Sequence, residues 1–193
     1  VLVHGLLAGP SMLRPMRGAL RRLGHDAHLV PELGALVRDD IRRHAEELET
    51  GVQRVLRTTG ARTIDVVGTS QGGLVALWWA HRTGWRAVGR LVAVGTPFRG
   101  APLARRVRWL RVLSAGLGQI QPGGPFLEAL AAVPLERPVT AISMANDPVC
   151  PPRVCALPGM EHVTLAGGVG PVAHQSMMLQ PRVARAIHRA LSC

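Results

Sequence analysis

Gly68-Thr69-Ser70-Gln71-Gly72 has the residue types needed to present a serine hydroxyl on a sharp turn between a strand and a helix. The β-branched run 63–67 before it reads as a strand, and the apolar run 74–81 after it as a buried helix. In so tight a turn, side chains on either side of the serine would clash, which is why glycine flanks it. The helix start behind Ser70 supplies free N–H groups and the positive end of a dipole. A serine in such a place becomes a nucleophile only when a base takes its proton and an acid orients that base.

Asp147 and His174 are the candidates for acid and base. Asp147 stands in Asn146-Asp147-Pro148-Val149, just after a strand-like run at 139–143. His174 stands in Ala173-His174-Gln175-Ser176, beyond a strand-like run at 163–166 and a glycine-rich stretch. The order Ser, Asp, His, each on a loop after a strand, is the one expected when the serine sits on a strand-to-helix elbow of this kind of fold. The rivals are worse placed: Asp65 lies within the strand before Ser70, Asp39 and Asp40 open an earlier helix, His162 starts a strand, and His188 lies inside the last helix. A tetrahedral intermediate also needs backbone donors aimed at its oxyanion. The N–H groups of Leu6, in His4-Gly5-Leu6-Leu7, and of Gln71 are the expected pair, with His4 holding the loop. Leu7 and Met177 are candidate substrate contacts, although Met177, Met178 and Leu179 suit an acyl pocket and an ordinary core equally.

The elements that must position these groups alternate. Strands are expected at 1–3, 27–30, 63–67, 91–94, 139–143 and 163–166. Helices are expected at 12–23 (Ser11 as N-cap, Gly24 beyond its end), at 74–81, and at about 181–191. Val37, Ile41, Ala45, Leu48, Val52 and Val55 mark one face of a further long helix that Gly60 ends. Alternation of this kind predicts an α/β three-layer fold around a mostly parallel sheet of about six strands, within one domain over 1–193. The stretch 98–134, rich in Gly, Pro and Arg, exceeds what one connection needs and is expected to be a lid or cap. Because Val1-Leu2-Val3-His4 reads as the middle of a strand, the chain is expected to continue upstream.

Composition narrows the function classes. Of 193 residues, 47% are hydrophobic and 18% charged, which fits an ordinary globular chain. No apolar run is long enough to cross a membrane as a helix. The net charge of +11 is carried by arginine alone, lysine being absent. With no Tyr and two Phe, stacking platforms for bases are scarce, so no specific nucleic acid is expected as partner. Cys150 and Cys155 flank a proline-rich turn and read equally as a small disulfide loop or as two thiols; the ligands for a zinc site are lacking. The stretch 105–113 interleaves arginine with apolar residues, suiting either a lipid interface or a cap helix packed on its own domain.

Val3-His4-Gly5, Gly68-Thr69-Ser70-Gln71-Gly72-Gly73, Val94-Gly95-Thr96-Pro97, Asn146-Asp147-Pro148-Val149 and His174 together resemble the bacterial triacylglycerol lipase and esterase branch of the α/β-hydrolases, in its small, minimal form. The resemblance covers almost the whole chain. It implies Ser70 as nucleophile, Asp147 as acid, His174 as base, Leu6 and Gln71 as oxyanion donors, an acyl or lipid ester as substrate, and no cofactor. Three features depart from that branch: the length of 98–134, Thr69 and Gln71 where His and Met are common, and the cysteine pair beside Asp147. Carboxylic-ester hydrolysis is the leading expectation. Acyl transfer or thioester hydrolysis on the same triad and a non-catalytic binding module are the alternatives.

Overall fold

Apolar residues that follow one another without polar interruption, as in Val66-Val67 and Leu91-Val92-Ala93-Val94, can be buried together only where both faces of a sheet are covered. In the computed structural model, which describes residues 1–6, 8–33, 40–102, 115–167 and 172–192, they are. Five parallel strands, β1 (Leu2–Val3), β2 (Ile64–Thr69), β3 (Val88–Val94), β4 (Val139–Met144) and β5 (Glu161–Leu165), lie side by side in that order. Successive side chains go to opposite faces. Val3, Val66, Leu91 and Ala93 enter one core, with α2 (Ile41–Thr59) and α3 (Gln71–Arg82). Leu2, Val67, Val92 and Val94 enter the other, with α1 (Arg14–Arg22) and α7 (Pro181–Ser192).

The sixth expected strand, at 27–30, is reduced to a single parallel bridge between Leu29 and Leu2 at the sheet edge. Its partner β1 is only two residues long, and Pro31 removes the next backbone donor. This bridge nevertheless fixes the topology. The chain leaves β1, runs through α1 to the outer edge at Leu29, and returns through α2 to pair β2 on the inner side of β1. Connections therefore diverge between β1 and β2, and a crevice opens at the carboxyl ends of those strands.

Local signals account for both ends of α2. Asp40 caps α2, its Oδ1 accepting the Arg42 N–H at 2.8 Å, and Gly60 closes it at φ 71°. Ile41, Ala45, Leu48, Val52 and Val55 are its buried face, while Val37 lies outside the described residues. Ser11 does not cap a helix. It sits in a 3-10 turn, Pro10–Leu13, and α1 starts only at Arg14, because Pro15 belongs in a first turn where its missing N–H is not needed.

Parts of 98–134 are integral to the core. Phe98, Ala101, Ile120, Phe126, Leu127 and Leu130 are buried in the cluster that holds α3. α4 (Ala115–Gln119) is tied to the start of α2, Gln119 accepting from the Ile41 N–H and donating to Asp40. α5 (Pro125–Ala131) packs Phe126 against Trp78, with the Arg42 guanidinium over both rings. Residues 103–114, which include the candidate lipid-contact stretch 105–113, lie outside the described residues. Among the described residues no helix is long and apolar enough to cross a membrane.

Candidate active site

The register of the sheet decides what meets at its carboxyl edge. Val3 pairs with Gly68, Thr69 with Val94, Val94 with Ile142, and Met144 with Leu165, so the loops after all five strands emerge together. Ser70 follows β2 directly at φ 52° and ψ −127°, a conformation that non-glycine residues seldom adopt. Two anchors hold it there: its N–H donates to the Val94 carbonyl at 2.8 Å, and its carbonyl accepts from Gly73. The helix α3 can begin this close to the sheet only because its neighbours lack side chains. A Cβ on Gly68 would lie 2.6 Å from the Gly72 carbonyl oxygen, and one on Gly72 would lie 2.5 Å from the carbonyl oxygens of Val3 and His4.

His174 Nε2 lies 2.9 Å from Ser70 Oγ, across 104 positions of sequence, and its Nδ1 lies 2.7 Å from Asp147 Oδ2. Since a carboxylate only accepts, the Nδ1 proton donates to Asp147 and Nε2 is left with a lone pair toward the serine hydroxyl. The other carboxylate oxygen, Oδ1, accepts from the N–H groups of Val149 (2.8 Å) and Cys150 (3.0 Å), which fixes its rotation. Asp147 and His174 are both buried. His174 rides on the short helix α6 (Ala173–Ser176), above the end of β3. The approach depends on Gly95, at φ 57°, where a Cβ would meet Met177 Cε at 2.7 Å and His174 Cε1 at 3.3 Å.

Ser70 and His174 line a cavity of about 230 Å³ whose wall includes Gly5, Leu6, Met12, Leu13 and Met178. Leu6, after β1, is thus beside Ser70; a Cβ on the preceding Gly5 would lie 2.8 Å from Ser70 Cβ. Gln71 is the first residue of α3, so its N–H has no partner within the helix. Ser70 thus lies between Leu6 and the free N–H at the start of α3, at the positive end of a helix dipole. An arrangement of this kind can move a proton from serine to imidazole and stabilise negative charge on an oxygen bonded beside it.

Other residues singled out from sequence go elsewhere. Met177 is fully buried in the core with α7, and Met178 takes the place on the cavity wall. The two occupy successive positions of a 3-10 turn, Met177–Leu179, where each step rotates the side chain by about 120°. Leu7 lies outside the described residues. Asp65 Oδ1 accepts from the Arg90 N–H, His162 meets Ser143, and His188 pairs with His25 at 2.9 Å, all away from Ser70. Cys150 and Cys155 are free buried thiols, Cys155 Sγ donating to the Cys150 carbonyl at 3.2 Å. Burial, reinforced by the Asp147 charge, pushes the Cys155 thiol up to about 12 and the Cys150 thiol well above its usual range, so both are neutral packing groups beneath the Asp147 loop. Sequence reading missed Met12 and Leu13, named Met178 only as one of three residues that suit an acyl pocket or a core, and gave Gly5 and Gly95 no role of their own. Gly95 had a visible signal, since it ends an apolar strand run and precedes Thr96-Pro97.

No protein-family model matches the chain, and no curated protein sequence matches it. Solved structures do. Lipase B of Aspergillus fumigatus superposes with a TM-score of 0.75 at 18% identity, over 100% of this chain and 52% of that one. The mature lipase BlEst2 of Bacillus licheniformis gives 0.74 at 18% identity, over 98% of this chain and 89% of that one. A thermophilic esterase of Thermogutta terrifontis gives 0.60 at 21% identity, over 99% and 88%. The chain spans about half the length of the Aspergillus lipase and most of the other two. These likenesses establish the α/β-hydrolase fold, with the sheet one strand short of the six expected.

Proposed function

We propose that the chain hydrolyses carboxylic esters, with Ser70 as nucleophile, His174 as general base and then acid, and Asp147 as the group that orients His174. The observation that carries this reading is the continuous relay from Ser70 Oγ through His174 to Asp147, at 2.9 and 2.7 Å, on the wall of a largely apolar cavity.

In the first half-reaction Ser70 Oγ attacks the ester carbonyl carbon while its proton passes to His174 Nε2. The carbonyl oxygen becomes an oxyanion and accepts from the N–H groups of Leu6 and Gln71. Collapse of this intermediate breaks the carbon–oxygen bond to the alcohol, which takes the proton from His174 and leaves an acyl group on Ser70. Water then repeats the sequence: it gives its proton to His174, attacks the acyl carbon, and releases the acid as Ser70 recovers the proton. Met12, Leu13 and Met178 would flank the acyl portion.

Hydrolysis of p-nitrophenyl esters from acetate to palmitate tests the reading. Saturable turnover is expected on at least part of the series, with an initial burst of p-nitrophenolate matching the enzyme concentration where deacylation is slow. Absence of hydrolysis across the whole series would overturn it. Asp147→Asn separates orientation from packing. The asparagine carbonyl can still accept from Val149 and Cys150, but its amide would donate to His174 Nδ1 and force the wrong tautomer. The expected outcome is a fall in kcat of about 10⁴-fold with little change in thermal midpoint; equal losses of activity and stability would assign Asp147 a structural role.

A further inference from the structure

The two helix layers carry their charges differently. On the α2 side three arginines have partners, Arg43 with Glu47 at 3.5 Å, Arg54 with Glu32 at 2.6 Å and Arg42 with Asp40 at 3.5 Å, whereas on α1 and α7 only Arg21 is paired among the described residues, with Asp26 at 3.8 Å. Neither α1 nor α7 contains an acidic residue. Arg14, Arg17, Arg22, Arg185 and Arg189 on these helices make no ion pair among the described residues. Four of them are exposed and Arg17 is half-exposed.

The same face holds the exposed apolar surface. The large hydrophobic side chains most exposed among the described residues are Met12 (49%), Val172 (66%) and Leu179 (59%). Met12 lines the Ser70 cavity, Val172 stands at the start of the helix that carries His174, and Leu179 lines a groove of about 490 Å³ between α1 and α7. That groove has an apolar floor, Met16, Ala19 and Ala184, and is edged by Arg14, Arg22 and Arg185. Met178 belongs to both the groove and the cavity, so the two adjoin. A single exposed leucine or methionine is ordinary. Met12 in the cavity and Leu179 in the adjoining groove, the latter edged by unpaired arginines, form a surface with apolar insertion points and a cationic rim.

We propose that this α1/α7 face docks on a lipid surface bearing anionic headgroups, with Met12 and Leu179 entering the acyl boundary and Arg14, Arg17 and Arg185 engaging headgroup phosphates. Docking in this pose turns the mouth of the Ser70 cavity toward the lipid. That orientation, but not the docking, rests on the ester-hydrolase reading. The face lacks Phe, Tyr and Trp on both helices, which disfavours nucleic acid, where stacking would supply the non-electrostatic part of binding.

The test is sedimentation of the full chain, as Ser70→Ala to prevent turnover, with phosphatidylcholine vesicles and with vesicles that also contain phosphatidylglycerol. Strong partition to the anionic vesicles and weak partition to the neutral ones is expected. Arg14→Gln, Arg17→Gln and Arg185→Gln combined should weaken the anionic partition by roughly a hundredfold, about fivefold per arginine. Leu179→Ser should weaken it further without altering its salt dependence. With Ser70 restored, these variants should cleave soluble p-nitrophenyl acetate at the wild-type rate, because none lies on the cavity wall. Equal partition to both vesicles, no effect of the triple substitution, or tighter binding to a DNA duplex than to anionic vesicles would each overturn the proposal. Vesicle binding without hydrolysis of any ester would sink the enzymatic reading alone, and ester hydrolysis without vesicle binding would sink the docking surface alone.

Discussion

Ser70→Ala should lower kcat for ester hydrolysis by about 10⁶-fold while leaving the protein folded. The substitution removes one oxygen, whose one hydrogen-bond partner among the described residues is His174 Nε2 at the edge of a cavity. Alanine carries the same backbone strain as serine at φ 52°, so the folded turn is no harder to form. What disappears is the atom that, in the proposed mechanism, forms the covalent intermediate. In the proposed mechanism substrate binding and the Leu6 and Gln71 donors remain, and a residual acceleration of about 10³-fold over water is expected. Hydrolysis rate, far-ultraviolet circular dichroism and labelling by a fluorophosphonate together form the check. A folded variant that turns over normally, or that still takes up the fluorophosphonate, would exclude Ser70 as nucleophile.

Gly72→Ala should damage the fold itself. The added Cβ would sit 2.5 Å from two backbone carbonyl oxygens, those of Val3 and His4, well inside any tolerated contact. Neither can swing aside as a side chain tip would, because Val3 is paired with Gly68 in the sheet. The start of α3 would have to move off β1, separating the Leu6 and Gln71 N–H groups that the proposed mechanism brings to one oxyanion. A destabilisation of about 3–5 kcal/mol is expected, lowering the thermal midpoint by roughly 6–20 °C in a chain of this size. Gly18→Ala is the control: its new Cβ meets nothing nearer than the tip of Arg22 at 3.7 Å, and a glycine within a helix is worth replacing. Guanidinium unfolding of both variants decides the matter. Equal stability of Gly72→Ala and the wild type would mean that the β1–α3 contact is far softer than its geometry implies.

Much of this architecture was legible before any coordinates. The α/β class follows from apolar runs alternating with helical periodicities, because a parallel strand covered on both faces has no polar side to show. Ser70 was legible because its flanking glycines, the strand before it and the helix after it are all local features. Asp147 and His174 were legible in a weaker sense, as residues of suitable type on loops after strands, in an order compatible with one site.

Other features depended on the assembled molecule. The 27–30 run has the composition of a strand, yet only Leu29 bridges, since the length of a strand is set by what lies beside it, and β1 offers two residues. Met177 and Met178 are chemically identical neighbours; the choice of which one faces the cavity is made by the turn that carries them and by the space above Gly95. Phe98, Ile120 and Phe126 sit in a stretch without clear periodicity, and their burial comes from contacts with α3 that no local window contains.

Composition and local spacing therefore determined the class of fold, the elbow at Ser70 and the kinds of group available to serve it. Tertiary structure alone decided that His174 lies within hydrogen-bonding reach of both Ser70 and Asp147, and that Leu179 and unpaired arginines line one groove beside the Ser70 cavity. The reason is physical. Secondary structure and turns are governed by interactions a few residues apart, whereas the approach of atoms 104 positions apart to 2.9 Å depends on sheet register and on glycines that let backbones touch.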